Sequence, residues 1–326
     1  MINDRYFLKF EDGFFKPLFE KFIEFKRGKG EKVSHSTMIR FRKLNSNLNR
    51  YDSETITPQM VKEILAPESG QSEIERFYLT TSLRQFCLFL DMLGYKVAQV
   101  PPRYMKCPRS EFRPYIFSDA ELKQMVTVTD QLPPGRRTNE HQLIYPVLVR
   151  LLIGTGMRIG EAIALERHDV DCENGIIKVI NGKNGVSRYI PVSDSIKKSL
   201  SDYSESLDML DGDKPFFQSS YTGGFLTYSA MKYMFPKIFM EAGITCKDGR
   251  KPTIHSIRHT FCTKSLSRML KDGMDIYAAI PVLAAYVGHT NYADTEKYIH
   301  FTEQDHEDFV SEESSLGALI PEVPDE

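Results

Sequence analysis

Apolar side chains in the first hundred residues fall at helical spacing. Phe15, Leu18, Phe19, Phe22 and Ile23 recur at i, i+3, i+4, i+7 and i+8, the stripe of a helix with one buried face. Ser36 to Asn49 predicts a second helix, carrying Arg40, Arg42 and Lys43, with Arg50 just beyond it. Thr57 followed by Pro58 reads as the cap and first turn of a short third helix over Met60 to Leu65. A fourth spans about Ser72 to Leu93 and is closed by Gly94. Four helices within residues 1–100 predict a small bundle.

The pattern then breaks. Val100 to Tyr115 holds four prolines and four basic residues, so it cannot be helical throughout, and 101–117 is read as an extended basic linker able to run beside a DNA backbone. A second domain is expected over 118–300. Ser118 caps a helix at its start, and Glu140 to Ile153 forms a strongly apolar helix ending at Gly154. Gly175–Ile180 and Val186–Val192 alternate like two strands around Asn181-Gly182-Lys183-Asn184-Gly185, the signature of a hairpin. Later segments return to helix. The expected fold is mainly α with a small antiparallel β-sheet: a four-helix domain followed by an α+β domain. A chain of 326 residues fits two domains better than one.

Composition adds little until it is divided along the chain. An apolar share of 41% with 26% charged residues is ordinary for a globular protein. No stretch approaches the ~18 apolar residues of a membrane span, and MINDRYFLKFEDGFFK has no basic start followed by an apolar run. A cytoplasmic protein without a membrane partner is expected. Its five cysteines are scattered and never spaced C-x-x-C, which argues against a disulfide framework or a zinc site. The net charge of −2 hides an asymmetry. Residues 301–326 carry nine acids and no Lys or Arg, so the first 300 residues hold 42 basic against 35 acidic side chains. A basic body with an acidic tail suits a polyanionic partner, because local potential governs contact.

Candidate chemistry lies in the second half. Arg158 follows the glycines of GTGMRIG, and Glu161, three residues on, can orient it. The spacing G-x-G-x-x-x-G after a helix does not fit a dinucleotide loop; a tight turn presenting Arg158 at a helix start, where free N–H groups favour a phosphate, fits better. His255, Arg258 and His259 fall at i, i+3 and i+4 and can share a helix face. Ser256 stands where H-E-x-x-H needs its glutamate, so hydrolytic zinc is not expected. His289 follows Gly288, and Tyr298 lies nine positions further on, with His300 two beyond it. Two arginines, a lysine, histidines and a tyrosine can attack a phosphodiester without a metal.

In that order, with VGHTNYADTEKYIH at its end, the chain resembles the tyrosine recombinase (phage integrase) family over roughly Ser118 to His300. The resemblance implies an N-terminal SAM-like core-binding domain that clamps DNA, a C-terminal catalytic domain, and breakage and rejoining of strands through a 3′-phosphotyrosine. It assigns Tyr298 as nucleophile, Arg158 and Arg258 as the phosphate clamp, and His289 as a further donor. His255 becomes the proton acceptor or relay, and Lys183 the acid that protonates the leaving 5′ oxygen. Glu161 and His259 take supporting roles. Lys178 competes with Lys183, and Tyr286 and Tyr292 compete with Tyr298. Contacts to DNA are expected from Arg40, Arg42, Lys43, Arg103, Lys106 and Arg109. The resemblance needs neither cofactor nor metal.

The implied partners are double-stranded DNA with an inverted-repeat core site, three further copies of the chain in a tetramer, and in some settings an accessory directionality factor, with the protein on the nucleoid when DNA-bound. The acidic tail, 301–326, with Phe309, Val310, Leu316, Leu319 and Ile320, would dock on a neighbouring protomer. The long apolar run Ile276 to Val287 is more similar to recombinases of transposons and integrative elements than to those resolving chromosome dimers. A type IB topoisomerase and a silent DNA-binding protein are the alternatives.

Overall fold

The computed structural model describes residues 9–31, 33–102, 104–106, 113–134, 140–180, 187–206, 213–219 and 222–289, together with Thr295 and Tyr298. Internal contacts divide the chain into two compact units, Met1–Glu111 and Phe112–Glu326.

The first unit is four helices, α1 (Lys16–Gly28), α2 (His35–Asn49), α3 (Pro58–Ile64) and α4 (Glu73–Met92). Each start has a local cause. Pro17 sits in the first turn of α1. Ser34 Oγ accepts the Thr37 N–H at 3.2 Å, and Thr57 Oγ1 accepts the Met60 N–H at 3.3 Å. Ser72 and Glu75 form a reciprocal capping box. The α1 stripe of Leu18, Phe19, Phe22 and Ile23 is buried, and Phe19 stacks on Phe86 of α4 with centroids 3.8 Å apart. Phe41 of α2 and Phe89 of α4 complete the aromatic centre around Phe22.

The second unit centres on α6 (Glu140–Thr155), whose Leu148, Val149, Leu151 and Leu152 are buried. Against it pack α5 (Asp119–Asp130), α8 (Asp194–Ser206) and α10 (Ile254–Lys271). A one-turn α7 (Ile159–Ala162) and a short 3-10 turn, Arg167–Asp169, lead into a three-stranded antiparallel sheet in the order β1 (Val170–Asp171), β2 (Ile176–Val179), β3 (Arg188–Pro191). The register pairs Val170 with Ile177, and Ile177 with Ile190. Ile177, Val179 and Ile190 face the core. α9 (Tyr228–Glu241) packs on α5, and α11 (Ile276–Val287) on α10. The short strand β1 carries too little alternation to be visible in the sequence. No described helix is long and apolar enough to cross a membrane.

Two features place the chemistry. The Ser118–Glu121 capping box starts α5, while the Thr260 hydroxyl accepts the Phe117 N–H at 2.9 Å, tying that start to α10. Between α6 and α7 the chain turns at Gly156, with φ +58°, and an added Cβ there would lie 2.3 Å from Phe261 of α10. Only glycine allows both the left-handed backbone and that approach.

Candidate active site

α7, β3, α10 and the end of α11 converge. Arg158 is the residue before α7, and its guanidinium donates from Nη1 to Glu161 Oε1 at 2.8 Å while Glu161 Oε2 accepts the Arg158 backbone N–H at 3.1 Å. The carboxylate thus fixes both ends of the same residue. Arg258 lies on the buried face of α10 and is only 2% exposed. A buried guanidinium needs partners. Arg258 has them in the Gly156 carbonyl at 3.0 Å and the Val287 carbonyl at 2.7 Å.

The end of α11 supplies the histidine. Gly288 takes the left-handed conformation, φ 71° and ψ 50°, and the His289 N–H closes back on the Ala284 carbonyl at 2.9 Å. This is the ordinary glycine-terminated helix end. It directs His289 into the turn, where Nδ1 lies 2.8 Å from Thr295 Oγ1. The Tyr298 ring, 3% exposed, packs in an apolar cluster with Phe261, Cys262, Leu266, Leu283 and Val287. It runs nearly parallel to His289, centroids 6.4 Å apart. Its hydroxyl lies 2.9 Å from His259 Nδ1.

The structure brings His259, rather than His255, to the tyrosine. His255 is exposed, and its ring stands edge-on to His259 at 4.6 Å. One turn further along α10, burial pushes the Cys262 thiol up to about 11. Lys183 lies outside the described residues. Its competitor Lys178 stands on β2 opposite Tyr189 and is exposed.

Sequence reasoning missed Arg188. It sits on β3 with a side chain 7% exposed, and donates to Glu161 Oε2 at 2.8 Å and from Nε to the Tyr286 carbonyl at 2.9 Å. A signal was present: Arg188 shares strand parity with Ile190, so a charge on the buried face was predictable. Glu161 therefore serves two guanidiniums. Burial disfavours its charge, but Arg188 and then Arg158 outweigh that and hold its carboxyl at about 2. With Arg158, Arg188 and Arg258 against one carboxylate, the described site carries a positive excess suited to a phosphate.

The residues expected to touch DNA divide. Arg40 and Lys43, one turn apart on α2, border an open groove of about 830 Å³ together with Tyr78, over whose ring Arg40 stands at 5.0 Å. Arg42 instead donates to the Lys9 carbonyl at 3.1 Å. Lys106 is exposed, and Arg103 and Arg109 lie outside the described residues.

Residues 117–305, more than half of the chain, match the phage integrase family. The chain belongs to this family, the tyrosine recombinases. It is a DNA strand-exchange enzyme, a site-specific recombinase. It is 29% identical over 242 residues to the tyrosine recombinase XerA of Thermococcus kodakarensis, covering 72% of this chain and 73% of that protein. Among solved structures it is similar to the XerH site-specific recombinase bound to palindromic difH substrate in a post-cleavage complex. That match has a TM-score of 0.64 at 17% identity, over 85% of this chain and 78% of the other. It is also similar to the Tn1549 transposon integrase in complex with transposon right end DNA, with a TM-score of 0.61 at 19% identity over 90% and 99%. At these identities the two structures speak for the fold of this recombinase.

Proposed function

We propose that Tyr298 is the nucleophile of this recombinase and His259 its immediate proton acceptor. The observation that carries this reading is the Tyr298 hydroxyl 2.9 Å from His259 Nδ1, on the helix that also carries Arg258. A phenol with an ordinary pKa near ~10 must lose its proton during attack, and a neutral imidazole within hydrogen-bond reach is the group to take it. His255, exposed and edge-on to His259, then passes the proton towards solvent.

The tyrosine oxygen forms a bond to phosphorus as the bond to the 5′ oxygen breaks, and Lys183 returns a proton to that oxygen. Arg158 and Arg258 neutralise the non-bridging oxygens, where charge gathers in the transition state, and His289 adds a hydrogen bond. The products are a 3′-phosphotyrosine and a free 5′ hydroxyl. A 5′ hydroxyl from a second strand reverses the step and rejoins the DNA, so the bond energy is conserved and no ATP is consumed.

The wider reading is a recombinase of a mobile element acting on duplex DNA with an inverted-repeat core, as a homo-tetramer. The transposon origin of the Tn1549 integrase and the palindromic substrate of XerH support its mobile-element and inverted-repeat parts, and the homo-tetramer follows from the strand exchange between two duplexes. Residues 301–326 would link neighbouring protomers; deleting 306–326 is expected to leave strand cleavage and impair cooperative assembly on DNA. The deciding experiment is denaturing capture of the tagged protein from cells, with sequencing of the attached DNA ends, against Tyr298→Phe. Adducts that share one short inverted repeat and vanish in the variant are expected. Adducts scattered over the genome point to a relaxing enzyme, and none at all to a DNA-binding protein without cleavage.

A further inference from the structure

The last carbonyls of a helix have no partner within it. At the end of α11, those of Tyr286, Val287 and Gly288 each accept a bond from a different arginine: Arg188 at 2.9 Å, Arg258 at 2.7 Å and Arg158 at 3.3 Å. Two of these form the clamp of the proposed mechanism. Arg188 has no role in it, yet it is buried as deeply as Glu161, each side chain 7% exposed, while Arg158 is 20% exposed. Arg188 therefore sits behind the carboxylate and Arg158 on its open side.

That order matters electrostatically. Glu161 paired with Arg158 alone is a neutral couple, and a neutral couple has little attraction for a phosphate. With Arg188 on the other oxygen at 2.8 Å, the three groups carry one net positive charge. Arg188 also fastens the turn end of β3 to α11, and the Tyr286 hydroxyl returns a bond to the Pro191 carbonyl at the other end of that strand, at 3.1 Å. The approach is close: a Cβ on Gly288 would lie 2.8 Å from Arg188 Nη1.

We infer that Arg188 is a positioning residue for phosphate recognition, neutralising Glu161 so that the charge of Arg158 remains available to the scissile phosphate, and holding the turn that carries His289. This inference rests on the strand-cleaving reading of the site. The test is calorimetric titration of the full-length protein with inorganic phosphate at low salt, comparing wild type, Arg188→Met, Arg188→Lys, and Arg188→Met combined with Glu161→Gln.

Arg188→Met is expected to weaken phosphate binding by about tenfold, the worth of one charge-assisted contact. The lysine variant should lose less, and the double variant should recover most of the loss because the unneutralised carboxylate is gone. A purely architectural Arg188 gives the opposite for the double variant, a further loss from removing another partner, and that result overturns the inference. Equal binding by wild type and Arg188→Met overturns it as well. Wild type that binds no phosphate refutes the strand-cleaving reading itself and the inference with it. Adduct yield in cells, normalised to protein level, should follow the same order, including recovery in the double variant.

Discussion

The Tyr298 hydroxyl and His259 Nδ1 stand 2.9 Å apart, across 39 residues of sequence, on the cluster that joins α10 to α11. With the imidazole neutral and its proton on Nε2, Nδ1 accepts from the hydroxyl and is placed to take its proton. His255, one turn earlier on α10, is exposed. The pair gives a direct comparison. His259→Gln should slow covalent adduct formation by about 10²–10⁴-fold, the range for loss of a positioned acid or base, and His255→Gln by less than tenfold. Rates of trapped adduct against time check this, and a larger effect at His255 would return the acceptor role to it.

Loss of the buried clamp should be costly in a different way. Arg258 donates to carbonyls of both the Gly156 turn and the α11 end, so Arg258→Lys keeps the charge but cannot span both. Cleavage is expected to fall by about 2.7–4 kcal/mol in the chemical step. Thermal melting of the same variant measures how much of this is unfolding.

Acid sensitivity follows from Glu161. Its carboxyl is held at about 2, below the ordinary 4.5, chiefly against its own burial by Arg188 and then Arg158. A depressed folded-state value stabilises above the unfolded value, so this contribution is complete above about 4.5 and is lost as pH falls towards 2. Its size is on the order of 3 kcal/mol. Urea melts from pH 7 to pH 3 should show the wild type losing stability over that window more steeply than Glu161→Gln; parallel curves would sink the assignment.

Gly156→Ala meets two penalties, a left-handed φ of +58° and a Cβ 2.3 Å from Phe261. It should cost about 2–4 kcal/mol. Gly243→Ala, at φ +68° with nothing within 4 Å, isolates the backbone term and should cost about 1–2 kcal/mol. Equal melting temperatures for the two would show that Phe261 yields freely.

In the first unit, Phe86 stacks on Phe19 at 3.8 Å and is fully buried. Phe86→Ala should cost about 3–5 kcal/mol in denaturant unfolding, with Ser72→Ala at the α4 cap near 1 kcal/mol.

What the sequence determined by itself was local. The position of α1 followed from apolar periodicity, and the starts of α3 and α5 from Thr57 and Ser118, because a cap and its N–H partner lie within one turn of chain. The hairpin followed from alternation on either side of a glycine-rich turn. The motif order named Arg158, Arg258, His289 and Tyr298, and these are the residues that the fold gathers around the α11 end.

Only tertiary structure decided between His255 and His259. Both lie on one face of α10 by spacing, and which of them meets Tyr298 depends on how α11 and the residues beyond it pack against that face. Arg188 is the second case. Its strand parity announced a buried charge, but its partners lie 27 and 98 residues away, at Glu161 and Tyr286, and no periodicity encodes such distances. Packing brings them together, since a buried guanidinium is tolerated only where a carboxylate and carbonyls already wait for it.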